Sequence, residues 1–370
     1  YTYDVRGQLA TQTEWATVDS TGAGVLDAGT VVSTFVYDVR GQLLQSATER
    51  GAGHATPEIT SYAYDGLGRL ISRTDPLNQA TSYVYTDSNG TLAIVQANGL
   101  TTTQAYDSAG RLLSSTQSAS GQTSRVTTYL YDAAGRQVAT IDPAGNASYT
   151  FYDADGRVAG TVDATGAVSS ITYDTAGHVI GTTQYATAIS TAGWISGGAL
   201  TASFPASLPV PAPSADDHIQ RVVMDAAGRV LATIDAEGHV ITTRYDGEGR
   251  AIATTAFATA LTAAQLATLG NAPTWAALQA ALHPDAQDRT GYTLYDPDGR
   301  VAATVDAAGF VTVIEYDGAD RATRTTTYAI ALSPAQRSAL DSAPTLATLQ
   351  GDSLTASADD QVVRTYYDGD

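Results

Sequence analysis

The sequence predicts an all-β repeat architecture of antiparallel hairpins, with short α-helical inserts in its C-terminal half. Three observations predict it. A YD-x-x-GR signature returns along the chain, from Tyr64 to Tyr173 at spacings of 21, 21, 25, 21 and 21 residues, counting the degenerate copy at Tyr85. Within a unit a second D-x-x-G follows ten residues after the first: Asp163 follows Asp153, and Gly166 follows Gly156. Between the two turns the residues alternate with the period of a strand, Val158, Gly160 and Val162 facing one way and Arg157, Ala159 and Thr161 the other. A fixed period of this length marks a repeat architecture.

The turns come first. A type I turn favours Asp at its first position and Gly at its fourth, where positive φ closes a three-residue hairpin with a bulge. The Asp carboxylate accepts from backbone N–H groups just ahead of it. The pairs Asp132/Asp142, Asp225/Asp235 and Asp296/Asp306 repeat the ten-residue step, so each unit is expected to hold two short antiparallel strands. A lone hairpin is marginal in water, so these units need their neighbours.

The intact signatures are Tyr64, Asp65, Gly68, Arg69; Tyr106, Asp107, Gly110, Arg111; and Tyr131, Asp132, Gly135, Arg136. They continue as Tyr152, Asp153, Gly156, Arg157; Tyr245, Asp246, Gly249, Arg250; and Tyr295, Asp296, Gly299, Arg300. Near copies start at Tyr3, Tyr37, Tyr173, Met224 and Tyr316, a degenerate one at Tyr85, and one cut by the end of the sequence at Tyr367. The motif reads as a turn plus a packing anchor, with the Arg over a tyrosine ring or paired with a nearby Asp.

On these residues the sequence resembles the Rhs/YD-repeat family: bacterial Rhs polymorphic toxins, the C component of insecticidal toxin complexes, wall-associated repeat proteins and animal teneurins. The resemblance covers nearly all of the chain apart from three inserts. It implies that the hairpins form a β-strip spiralling into a hollow, here partial, shell. In the toxins such a shell encloses a toxic C-terminal polypeptide. The autoproteolytic core and variable toxin that follow the repeats in Rhs toxins are not recognisable here, so no cleavage residue carries over.

Residues 1–370 read as a single repeat array, with mostly plain 21-residue repeats over 1–185. The copies at Tyr3 and Tyr37 are more widely spaced, and Ser20–Thr30 and Arg50–Pro57 read as longer hairpin loops. Over 186–370 a longer period appears: Tyr152, Met224, Tyr295 and Tyr367 lie 72, 71 and 72 residues apart. Each of these super-repeats is a plain repeat followed by one carrying an insert, near 186–217, 258–287 and 329–360.

In the inserts the period turns helical. Ser333-Pro334 is an N-cap and first-turn pair, and Thr262 caps 263–269 with Gly270 just past the end. Trp275, Leu278 and Leu282 fall at helical spacing before Pro284. The second and third inserts therefore predict two short helices each. The first, with four prolines in Phe204–Pro213, predicts an extended loop. The apolar stripes are expected to pack down on the sheet, with all three inserts on one side of it.

Composition excludes many chemistries. Hydrophobic content of 43% excludes general disorder, and Tyr supplies 21 of the 29 aromatics, as in a β-rich chain. The 19 basic residues are all Arg against 38 acids, and the net charge of −19 repels phosphate backbones and anionic lipid. Absence of Lys removes a P-loop or Schiff-base lysine; absence of Cys removes thiol nucleophiles, disulfides and thiolate metal sites. No apolar run is long enough to span a bilayer. The sequence shows no signal peptide, and it begins inside a strand and stops inside a signature, as an excerpt of a longer polypeptide would.

The five histidines do not cluster: His178 and His239 read as strand residues, and His54, His218 and His283 as loop or insert residues. His218 beside Asp216-Asp217 is the one His–acid cluster, short of the ligands zinc needs. The D-x-D-G stretches at Asp153 and Asp296 are no EF-hands, since position twelve is Ala164 and Ala307. The expectation is a non-enzymatic shell segment of a large secreted or cell-surface protein, without catalytic, cofactor or metal residues. Its partners are the remainder of the parent polypeptide and an enclosed C-terminal toxin, with no nucleic acid and no membrane span. The competing expectation is a surface adhesion or carbohydrate-binding array with a cell-surface glycan or protein as partner.

Overall fold

The computed structural model describes residues 1–51, 56–351 and 354–367. His54 and the last residues of the Tyr367 signature lie outside them, as does part of the loop expected at 50–57. Among the described residues the regular structure is mostly antiparallel strand joined by tight turns, and the chain divides into two compact units.

The first unit comprises Tyr1–Tyr149 and Gly193–Phe204. From Leu9–Glu14 onward each ladder strand pairs antiparallel with the next, through Val31–Tyr37, Leu43–Arg50 and Glu58–Tyr64 to Gln137–Ile141. The register slips at the signature tyrosines: Tyr64 faces Leu70 and Tyr131 faces Gln137, each after a bulge. The stretch Ser20–Thr30, expected as a longer hairpin loop, carries half of a small side hairpin, Thr17–Val18 against Gly24–Val25. A D-x-x-G turn at Asp19 closes it, with the Gly22 N–H on the Asp19 carbonyl (3.0 Å). The apolar centre of this unit includes Tyr149, edge-on to Trp194 (4.8 Å) and tilted on Phe204 (5.9 Å), both from the first insert.

The second unit comprises Thr150–Ala192 and Pro205–Asp370. Its strands also pair with sequence neighbours, and the ladder closes beneath each insert. Gln184 pairs with His218, Ala256 with Arg289, and Thr327 with Gln361. Helices α1 (Ala263–Leu269) and α2 (Trp275–Ala281) form the second insert; α3 (Pro334–Ser342) and α4 (Leu346–Gly351) form the third. Thr262 and Ser333 each form a capping box with the Gln three residues on, Gln265 and Gln336, satisfying N-terminal amides that the helix leaves open. The first insert has no helix; its extended chain includes a small hairpin, Ile195–Ser196 against Ala199–Leu200.

The helices bury their apolar stripes on one sheet face. Leu261 and Leu278 cover Val223, Ala232, Ile234 and Val240. Seventy-one residues on, Leu332 and Leu349 cover Leu294, Ala303, Val305 and Val311. Leu278 and Leu294 are fully buried, and each such side chain contributes about 1.5–3 kcal/mol. The identical offset at every position means that the second and third inserts sit in the same way on the same face.

Candidate functional site

The signature residues come together within each copy, through the backbone turn. In the Tyr64 copy the Asp65 Oδ1 accepts from the backbone N–H groups of Leu67 and Arg69 (2.9 Å each). Its Oδ2 accepts from the Arg69 Nε (2.8 Å). Gly68, at φ +85°, donates its N–H to the Asp65 carbonyl (3.0 Å). The same arginine-to-aspartate bond joins Arg111 to Asp107 (2.6 Å), Arg136 to Asp132 (2.8 Å), Arg157 to Asp153 (2.7 Å), Arg250 to Asp246 (2.7 Å) and Arg300 to Asp296 (2.8 Å). Gly110, Gly135, Gly156, Gly249 and Gly299 all adopt positive φ. The backbone N–H of the arginine, and then its side chain, hold Asp65 below the usual carboxylate range.

Within either unit, quartets also tie onto the following copy. Arg69 lies 4.2 Å from the centroid of the Tyr85 ring, Arg157 4.5 Å from Tyr173, Arg229 4.8 Å from Tyr245, and Arg250 4.5 Å from Tyr295. The tyrosine hydroxyl then donates to the carbonyl of the residue after that arginine. Tyr131 reaches Leu112 (2.8 Å), Tyr245 Val230 (2.9 Å) and Tyr316 Val301 (2.9 Å). Tyr64 does the same to Leu43 (3.0 Å), where Gln42 stands for the arginine and donates to the Gly68 carbonyl (2.8 Å). Tyr106 departs from the rule, donating to Gln104 (2.9 Å), because the degenerate Tyr85 copy supplies no arginine.

His178 and His239 are not strand residues. They close turns, each placing Nδ1 on the turn carboxylate, Asp174 (2.9 Å) and Asp235 (3.1 Å), as the arginine does elsewhere. His218 is not a loop residue: it starts the strand His218–Met224 and faces Glu237 at 3.9 Å. Its sequence neighbour Asp217 turns away to the neck of the first insert. His283 places Nδ1 on the Ala281 carbonyl (3.0 Å). Among the described residues no group of three or more His, Asp or Glu is disposed to hold a metal. No helix there is long and apolar enough to cross a membrane.

The insert necks are the feature that sequence reasoning missed. Asp217 Oδ1 accepts from the Ala186 N–H (2.9 Å), Asp288 Oδ1 from Ala258 (2.8 Å), and Asp360 Oδ1 from Ala329 (2.8 Å). The other oxygens accept from Ser214, Asp285 and Ser357 N–H (2.9, 2.9 and 3.0 Å). Deeper in, the Gly166, Gly238 and Gly309 carbonyls accept from Ile189, Leu261 and Leu332 (2.8, 2.8 and 2.9 Å). Each insert thus leaves the sheet through one carboxylate clamp. The signal was present as aspartates 71 and 72 residues apart.

A cleft of about 490 Å³ opens between the second and third inserts, lined among others by Phe257, Asp285, Arg337 and Asp341. Tyr292 closes its floor, donating its hydroxyl to Asp341. Burial, then the Asp341 contact, push this phenol well above its usual pKa.

Comparison with known proteins adds the family. The teneurin YD-shell model matches residues 1–121 and 89–256, together more than half of the chain. Among solved structures, a crystal structure of TcdB2-TccC3-Cdc42 is 16% identical with a TM-score of 0.47, covering 87% of this chain and 18% of that one. The Tc holotoxin pore of Photorhabdus luminescens is 16% identical with a TM-score of 0.40, covering 80% and 18%. The chain therefore spans less than a fifth of the length of these solved chains. No curated protein matches it.

Proposed function

The chain belongs to the teneurin YD-shell family, and from that membership we propose that it is a non-enzymatic shell segment of a large bacterial Rhs-type protein, secreted or on the cell surface. Its work is to enclose a toxin or other polypeptide from the remainder of the parent protein. The observation that carries this is the copy-to-copy tie of arginine, tyrosine ring and backbone carbonyl. In the intact signatures the aspartate and arginine hold the turn, and Tyr64, Tyr131, Tyr245 and Tyr295 tie an adjoining repeat, which suits a wall and leaves little for turnover. No cofactor is required in this reading. The test is protease protection in the longest parent polypeptide that expresses. A following segment digested far more slowly when attached to the array supports enclosure, and equal digestion with or without the array rejects it.

The cleft beside Phe257 and Arg337 favours a second reading, attachment to a surface glycan. Glycan-array binding that is lost in Arg337→Ala supports it; an array without signal rejects it.

A further inference from the structure

We propose that the sheet face formed by Arg324, Val362 and Arg364 is the seat of a further helical insert of the α1–α2 kind, whose first helix ends on Arg364. The seat is defined by strand register within the second unit, whether or not the array encloses anything. Arg221, Tyr292 and Arg364 occupy equivalent positions, 71 and 72 residues apart. Each of the first two receives the end of the first helix of the insert that follows. The Arg221 Nε donates to the carbonyl of Gly270, the C-cap of α1 (2.5 Å). Tyr292 donates to the side chain of Asp341 in the last turn of α3, and Arg244 donates to the Asp341 carbonyl (2.7 Å). A cation or hydroxyl is favoured there because the last helical carbonyls lack intrahelical partners and carry the negative end of the helix dipole.

A neighbouring row behaves in the same way. Gly181, Ala253 and Arg324 are equivalent. A Cβ on Gly181 would stand 3.2 Å from the Asn271 carbonyl just past α1, and Ala253 is buried in the cluster with Leu340 and Leu349. In the last ladder the face is bare. Gln361–Arg364 is exposed at every residue, whereas Arg221 and Tyr292 are 5% and 4% exposed. Arg324 and Arg364 stand directly opposite one another; the Arg324 Nη1 is answered by Glu315 on the strand before it (3.1 Å), which leaves its Nε and Arg364 facing the open side. The Arg324 Nε is buried and has no hydrogen-bond partner, an orphan donor that costs stability until an acceptor arrives. Two guanidinium groups and an exposed valine complement the carbonyl end and apolar stripe of a helical insert.

The chain contains no cysteine, so introduced pairs report contact cleanly. A second copy of residues 299–367 is appended directly after Asp370, which restores the signature in frame. Arg364→Cys is combined with Asp341→Cys in the appended copy alone and treated with a short bismaleimide. Tyr292→Cys with Asp341→Cys in the 370-residue chain calibrates the yield, and Val363→Cys reports the opposite face. The expected result is cross-linking from Arg364 at the Tyr292 yield and at least tenfold less from Val363. Equal yields from Arg364 and Val363, or none from Arg364 while the Tyr292 pair links, overturns the proposal. So does an extended chain that gains no strand signal by circular dichroism, since a competent seat would receive the added insert.

Discussion

The guanidinium of Arg157 lies 4.5 Å from the centre of the Tyr173 ring, and the Tyr173 hydroxyl donates to the carbonyl of Val158, the residue after that arginine (2.9 Å). Two copies of the repeat are thus joined by one ring used on its face and at its tip. The contact is local to adjoining copies, as expected where stability is a sum of neighbour terms.

Tyr173→Phe keeps the ring and loses the bond, at a cost of about 1 kcal/mol. Tyr173→Ala loses both, and combining it with Arg157→Gln should cost less than the two changes summed, because they remove a shared contact. Urea unfolding fitted with a nearest-neighbour model measures this. Strict additivity would show that the stacking contributes nothing.

Glycines of similar positive φ should differ in their tolerance. Gly110 (φ +78°) has open space around a built Cβ, so Gly110→Ala should cost about 1–2 kcal/mol from the left-handed backbone alone. Gly166 (φ +87°) would put its Cβ 2.0 Å from the Ile189 carbonyl, inside the neck of the first insert. Gly166→Ala should therefore be much the more destabilising, and equal melting temperatures would contradict the neck geometry.

The Asp288 clamp should govern local opening and leave the sheet intact. Asp288→Ala removes the acceptor for both Ala258 and Asp285, and limited proteolysis should then cut within 258–287 faster, with strand content unchanged. Leu278→Ala acts differently: it empties a fully buried site over Val223 and Ile234 and should cost about 2–5 kcal/mol. Replacing Ala258–Asp288 by a short turn should leave the ladder from Ala256 to Arg289 paired, with that apolar face newly exposed to dye binding. Loss of strand signal on deletion would make the insert integral to the sheet.

Acid should weaken the array. Asp107, Asp225 and Asp317 are held below the usual carboxylate pKa, first by the backbone N–H of the arginine four residues on. A folded pKa below the unfolded value of about 3.9 gives stability that is present above that value and is lost as pH falls through the folded pKa. Protonation also relieves repulsion in a chain of net charge −19, but exposed charges are screened at physiological salt while the turn bonds are direct. The melting temperature should be level from pH 7 to about 5 and fall below about pH 4. A rise in that window would mean that repulsion dominates.

The turns and strands were legible in the sequence because their causes are local. Asp at one position and Gly three later set a type I turn and its bulge within five residues, and alternation sets the faces between turns. The caps Thr262 and Ser333 were legible for the same reason, and so was the contrast between the Pro-rich first insert and the helical pair. What the tertiary structure decided is where distant segments meet. Asp217, Asp288 and Asp360 look like any loop aspartate until the ladder brings each within bonding distance of an alanine amide about thirty residues earlier. His218 reads with Asp217 by adjacency, yet the Asp217 carboxylate is taken up at the insert neck, and the acidic neighbour of His218 is Glu237. Arg221 is an ordinary strand cation in the sequence; only a helix end arriving from 49 residues ahead makes it a buried donor. Hydrogen bonds within a turn are encoded by residue order, whereas those between repeats depend on the register of the whole ladder.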